Sequence, residues 1–323
     1  MVAKLKNIIL ISASLLIALF LVELVLRSVG PLYTIGPIVT VHDHQYGKRL
    51  KKNFSAELIA PEFTTTFSTN SYGFRGPEPQ SLPHQPILFL GDSYTVGHGV
   101  NDGEDYPGII RGALLTSYGE HAPQVVNAGM GDNGNGRWLK FLRSEGKGYD
   151  PSLVVLQLYA NDFYDNLNEG LFELSSDDRL VENPVSPEDI VRKIQRFVDK
   201  VPILYDSHAI SLLNHARAKF KYDYLYNPET TSNEDLLTYR LLEEVISLCN
   251  QEHWPVIAVC LGIEGERLAK LKSLFNERDI LMMRIPNHEE RPDLYYEVDG
   301  HWNARGHSFV ADLILQEMKL DSN

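Results

Sequence analysis

The apolar and polar positions of this chain change rhythm three times. Ile8 to Leu26 is an almost unbroken apolar run with no polar stripe, preceded by Lys4 and Lys6 and followed by Arg27. A run of roughly 19 such residues, rising about 1.5 Å each as a helix, is long enough to cross a bilayer. The leading lysines favour a cytoplasmic amino terminus and an exported body, which Lys48, Arg49, Lys51 and Lys52 on the far side oppose. Ser28-Val-Gly30 has the small-x-small form of a signal cleavage site, but cleavage there leaves Pro31 leading the mature chain, so an uncleaved anchor over 1–30 is the expectation. From Gly30 to about His84 the rhythm is irregular, rich in proline, glycine and polar residues, with short β-like stretches such as Phe63-Thr-Thr-Thr-Phe. Residues 31–84 therefore read as a linker passing into an edge hairpin, with Asn70 to Gly76 as turn residues and Arg75 either as a contact to an anionic substrate or, more commonly for such a residue, as a surface ion-pairing arginine.

In the third regime, short apolar runs alternate with helical spacing. Strands are predicted at Pro86–Leu90, Gln124–Gly129, Leu153–Asp162, the last ending on polar residues, Val256–Leu261 and Ile280–Ile285. Helices are predicted between them, at Asp105–Tyr118, Gly134–Ser144, Glu234–Asn250 and Glu264–Glu277. Strands alternating with helices mean an α/β fold, a parallel sheet covered on both faces. One interval breaks the pattern. Residues 163–233 are far too long for an ordinary connection, and Ser186-Pro-Glu-Asp189, followed by Ile190, Ile194 and Phe197 at helical spacing, marks at least one real helix inside it. Its place after a strand end makes this helical insertion a candidate lid or substrate wall, with Tyr205, Tyr222, Tyr224 and Tyr226 available to pack on sugar or acyl groups or on their own subdomain.

Composition narrows the function. With 323 residues, 43% of them hydrophobic, the chain can bury one large core beside its appendages. A formal charge of −13 repels nucleic-acid phosphates, so no nucleic-acid partner is expected. Cys249 and Cys260 fall at opposite ends of a predicted helix–strand step and read as buried small hydrophobes rather than a bridge.

The chemistry concentrates where apolar runs end. Pro86-Ile-Leu-Phe-Leu-Gly-Asp-Ser93-Tyr-Thr-Val-Gly97 reads as strand, sharp turn and helix, which lifts the Ser93 hydroxyl to the carboxyl edge of the sheet. Taken alone, Ser93 is as well explained as a helix cap. Near the other terminus, Glu297-Val-Asp299-Gly-His301-Trp-Asn303 sets an acid and an imidazole two residues apart, on one side of an extended segment. The loop Asn127 to Asn133 and the pair Asn161-Asp162 follow two further strands. His307 and His98 read as solvated or locally bonded, and His42-Asp-His44 lacks a converging third metal ligand.

The four pieces GDSYTVG, NAGMG, YAND and DGHWN, in this order, resemble the blocks of the SGNH (GDSL-like) hydrolase superfamily, and the anchor with NSYGFRG resembles its membrane-tethered bacterial members. The resemblance covers Leu88 to the carboxyl end apart from the insertion. It implies a three-layer α/β/α sandwich of flavodoxin-like type over 85–323, and ester cleavage without metal or organic cofactor. It also implies site roles: Ser93 as nucleophile, His301 as base, Asp299 as its orienting acid, and Gly131 and Asn161 as oxyanion donors. Gly129 and Asp132 are the alternatives to Gly131, because the usual spacing from the block's asparagine falls on Asp132; Tyr159 stands where the third block often has glycine. The expected partner is a small-molecule or glycan ester, with the body periplasmic or extracellular. An O-acyltransferase acting on an envelope glycan, which the Asp-x-His-Trp block also resembles, and a catalytically silent glycan-binding module are the competing readings.

Overall fold

The computed structural model describes residues 2–78, 85–188, 190–225 and 231–318. The chain opens with helix α1 (Val2–Val29), which is long and apolar enough to cross a membrane over Lys4–Val29. Two antiparallel hairpins follow: β1 (Thr40–Asp43) with β2 (Gly47–Leu50), and β3 (Ser55–Ile59) with β4 (Thr64–Ser68). Neither extends the central sheet, as an edge hairpin would. Only Arg75 reaches it, through an isolated bridge to Asn127.

The body then runs β5 (Ile87–Leu90), α2 (Ser93–Val96), α3 (Tyr106–Tyr118), β6 (Val125–Asn127), α4 (Asn135–Phe141), α5 (Lys147–Tyr149) and β7 (Leu153–Tyr159). The inserted stretch contributes α6 (Asp162–Glu169), a short hairpin of β8 (Phe172–Leu174) and β9 (Leu180–Glu182), and helices α7 (Ile190–Val198), α8 (Pro202–Tyr205) and α9 (His208–Leu225). That β-hairpin has no counterpart among the sequence expectations. The chain returns through α10 (Thr231–Gln251), β10 (Val256–Leu261), α11 (Gly265–Asn276), β11 (Leu281–Ile285) and α12 (Ala304–Glu317).

Five strands form one parallel sheet in the order β11-β10-β7-β5-β6. Read from the other edge, the five strands follow the flavodoxin-like order 2-1-3-4-5, whose direction of winding reverses between the first and third strands. Side chains of β5 alternate between two cores. Leu88 and Leu90 join the layer of α4, α10 and α11, whereas Ile87 and Phe89 join that of α3 and α12. Because both faces of the central strands are covered, β5 and β7 are near-continuous apolar runs rather than alternating, which is why they stand out in the sequence. Cys249 and Cys260 are free and buried, as expected.

Candidate active site

Ser93 follows β5 at the point where the strand order reverses, the position at which open α/β sheets leave a crevice. The turn that puts it there is crowded. A Cβ on Gly91 would lie 2.0 Å from Thr95 Oγ1 and 2.6 Å from Gln157 Oε1, so only glycine fits between strand and helix. Asp92 caps the short helix by accepting the Tyr94 N–H at 2.9 Å, and Gly97 ends it in the left-handed conformation (φ 80°). Buried and with one carboxylate oxygen unpartnered, Asp92 is pushed up to about 7 by desolvation.

Ser93 Oγ lies 2.7 Å from His301 Nε2, and His301 Nδ1 lies 2.6 Å from Asp299 Oδ1. Residues separated by 208 positions thus form one hydrogen-bonded line. The Asp299–His301 segment is a tight turn rather than the extended run expected from its spacing. Tyr295 and Trp302 pair across it, the Tyr296 N–H donates to the His301 carbonyl at 2.8 Å, and Gly300 takes φ 80° to reverse the chain. The line is polarised. Burial alone would raise Asp299, but hydrogen bonds from His301 and His98 outweigh it and hold the carboxyl well below its ordinary range. Burial lowers His301, and the bond to Asp299 only partly restores it, so the imidazole is neutral at pH 7.

His98, read from sequence as a bystander, sets its Nε2 3.3 Å from Asp299 Oδ2. Asp299, His301 and His98 together offer ligand atoms within 4.8 Å of one another. The 2.6 Å contact within that group is a hydrogen bond rather than a pair of ligands, since donors sharing a zinc at about 2.0–2.1 Å stand farther apart. His307 is buried and structural, with Nδ1 accepting the Tyr106 N–H.

In the loop after β6, Asn127 is a structural pin. Its amide donates to the Thr95 carbonyl and Asp105, and its Oδ1 accepts the Gly129 N–H at 3.0 Å. Gly129 is also wedged against α2, and Met130 N–H is spent on the Gly91 carbonyl, which leaves Gly131 and Asp132 as the available backbone donors. Gly131 borders open space on the side where a Cβ would project. Asn161 follows β7, and its side-chain amide makes no hydrogen bond among the described residues. Tyr159, the bulky replacement in that block, packs edge-on against Tyr94 and fills the space that Gly262 leaves by lacking a Cβ.

Three residues of the supposed linker hold these loops. Lys48 is buried and donates its ammonium to the carbonyls of Gly131 (2.5 Å) and Asp132 (3.0 Å). In a trans peptide the N–H opposes the C=O, so drawing the Gly131 carbonyl toward Lys48 turns the Asp132 N–H the other way. Burial lowers Lys48, while the carboxylates of Asp132, Glu169 and Asp165 act to raise it. Glu62, between β3 and β4, accepts three consecutive backbone N–H groups, from Glu297, Val298 and Asp299, at 2.8 to 2.9 Å. Arg75 is neither on the surface nor near the reacting groups. It is buried, pairs with Asp102 at 3.0 Å, and donates to the carbonyls of Val96, Gly97 and Val100 just after α2. Lys48 had a signal in the sequence: it shares the inward register of β2 with buried Leu50. Glu62 and Arg75 had none, because turn residues carry no periodicity.

Of the inserted helices, α6 bonds to the start of α4 through Asn166 and Glu169, whereas the segment from α7 to α9 makes polar contacts with α1 and the stretch after it. Glu23 accepts from Ser207 Oγ and from the N–H groups of His208 and Ala209, Arg27 donates to the Asp206 carbonyl, and Asp199 pairs with Lys51. Of the tyrosines named as possible substrate contacts, Tyr205 is half-buried, the side chains of Tyr222 and Tyr224 are outside the described set, and Tyr226 lies outside the described residues.

No curated protein matches the chain significantly. Among solved structures, it is similar to the psychrotrophic esterase EstA from Pseudoalteromonas sp., with 13% identity over 73% of this chain and 97% of that one and a TM-score of 0.42. It is similar to an acetylxylan esterase, Axe2, from Geobacillus stearothermophilus, with 14% identity over 75% and 98% and a TM-score of 0.42. A third is the α/β hydrolase LAE5 from the metagenome of Lake Arreo, with 13% identity over 73% and 95% and a TM-score of 0.42. The model of the family described as GDSL-like Lipase/Acylhydrolase matches residues 87–314, a span that runs from β5 into α12 and holds Ser93, Asn161, Asp299 and His301. The chain therefore belongs to the GDSL-like lipase/acylhydrolase family and is an ester-hydrolysing enzyme.

Proposed function

We propose that the enzyme is a membrane-tethered serine esterase that removes O-acyl groups, such as acetate, from a carbohydrate or lipid on the outer side of the membrane. The observation that carries this reading is the continuous line from Ser93 Oγ through His301 to Asp299, with a neutral imidazole in the middle. Ser93 Oγ attacks the acyl carbonyl carbon while its proton passes to His301 Nε2. Asp299 holds the tautomer that leaves Nε2 free and stabilises the imidazolium. The oxyanion is met by the Ser93 N–H, the Gly131 N–H with Asp132 beside it, and the Asn161 amide. Collapse expels the alcohol, which takes the proton from His301, and water then repeats the sequence on the acyl-serine.

Retention of α1 as an anchor, rather than its removal as a signal, is supported by its bonds to the body through Glu23 and Arg27, since a cleaved leader has no reason to cap a helix of the mature fold. Outward orientation is supported by Lys4 and Lys6 ahead of the apolar run. The test is release of p-nitrophenol from its acetate ester by the full chain in detergent. Ser93→Ala abolishes it, and full activity in that variant ends the assignment; retained acyl transfer to an added glycan with no net hydrolysis would favour the acyltransferase.

A further inference from the structure

Helix α7 has a face that the protein leaves uncovered. Ile190, Ile194 and Phe197 are spaced i, i+4, i+7 on one side, and they are 68%, 55% and 63% exposed; Ile203 of α8 is 74% exposed. Such a stripe ordinarily faces a core, yet no residue of this helix is buried. The polar face is equally one-sided. It carries Arg192, Lys193 and Arg196 and no acidic residue within the helix, although Arg196 pairs with Glu188 just before it at 2.6 Å, in a chain whose formal charge is −13.

The position of the helix says what covers it. The last turns of α1 are bonded to the start of α9: Glu23, three residues before the apolar run ends at Leu26, accepts the first N–H groups of α9, and Arg27 holds the carbonyl of Asp206 just after α8. Asp199, directly after α7, accepts from Lys51 at 2.6 Å and from the Ile38 N–H at 3.1 Å, both on the segment that leaves α1. Helices α7 and α8 are thus fixed at the level where α1 emerges from the bilayer.

We propose that α7 and Ile203 dock on the membrane surface, in the leaflet that α1 leaves, with Ile190, Ile194, Phe197 and Ile203 among the acyl chains and the basic residues at anionic headgroups. Short helices with an apolar face and a basic polar face lie in this way in the interface plane. Docking would give the body a second attachment besides the spanning helix and so fix its tilt over the surface. The inference rests on the anchor reading above.

The test uses the full chain reconstituted in phosphatidylcholine and phosphatidylglycerol vesicles, with brominated lipids as quenchers. The three native tryptophans, Trp138, Trp254 and Trp302, are buried and give a constant background. Phe197→Trp is expected to be quenched by lipids brominated near the carbonyls about five-fold more than Leu115→Trp, an exposed position on α3. Ile190→Glu with Ile194→Glu should abolish that quenching. Phe20→Trp, inside α1, reports the anchor through deeply brominated lipids. Quenching at position 20 without quenching at 197 overturns docking and leaves the anchor standing, whereas no quenching at position 20 overturns the anchor reading itself. A blue shift at 197 without lipid quenching would place a second copy of the chain on this face and overturn the assignment to lipid.

Discussion

Two regions lie outside the parallel sheet, and their side chains are put to different uses. Residues 31–78 look like a linker by composition, yet Lys48, Glu62 and Arg75 hold the loop after β6, the Asp299 turn and the end of α2. The insertion after β7 looks like a lid by position, yet beyond α6 its segment from α7 to α9 binds α1 and residues 34–51. Length and place in the sequence therefore misassign both. What distinguishes them is where their polar atoms are satisfied. The first region buries charged side chains against backbone groups of the site, whereas α7 leaves its apolar side chains in the open.

The largest expected effect separating the two is on stability. Arg75→Met strands the Val96, Gly97 and Val100 carbonyls and removes the cation beside Asp102, and should cost about 3–5 kcal/mol in urea unfolding of the full chain in detergent. A cost below the range of an exposed ion pair would show that the first region is a linker after all.

Next is an effect on turnover. Lys48→Met keeps the volume of the side chain but releases the Gly131 and Asp132 carbonyls, and kcat on a p-nitrophenyl ester should fall roughly 10- to 100-fold with KM little changed, because a donor in that loop matters chiefly in the transition state. A rise in KM at constant kcat would instead make Lys48 part of the binding surface.

A smaller effect is the pH dependence. The folded His301 lies below its unfolded value of about 6.5, so kcat/KM should fall only when pH drops through a midpoint below 6.5. The same depression means that the unfolded chain takes up this proton first, so the neutral-imidazole contribution to stability is present above 6.5 and is lost as pH falls below it. His98 is among the groups that lower His301, so His98→Gln should move the midpoint upward. An unmoved midpoint would confine His98 to holding Asp299.

The smallest effect is on the other side of the comparison: Ile194→Glu should change kcat on a soluble ester by less than about two-fold, since the Ile194 side chain is exposed. A ten-fold loss would return the insertion to the role of a substrate wall.

Much of this molecule was determined locally. The apolar run of α1, the five largely apolar strands and the glycine-tight turn at Ser93 follow from periodicity and from the steric needs of a strand that ends in a helix, and these are nearest-neighbour properties of the chain. The set of four blocks was legible for the same reason, each lying just past a strand. Other features depend on contacts between residues tens or hundreds of positions apart. That Asn127 pins the loop and leaves Gly131 and Asp132 as donors, that Asp299 sits in a turn gripped by Glu62, and that His98 joins the line were decided only when distant segments met. A hydrogen bond between a hairpin turn and a loop more than two hundred residues away leaves no period in the sequence. An exposed apolar stripe looks identical in sequence to a buried one, so only the packed structure could show that the Ile190, Ile194 and Phe197 side of α7 is left uncovered.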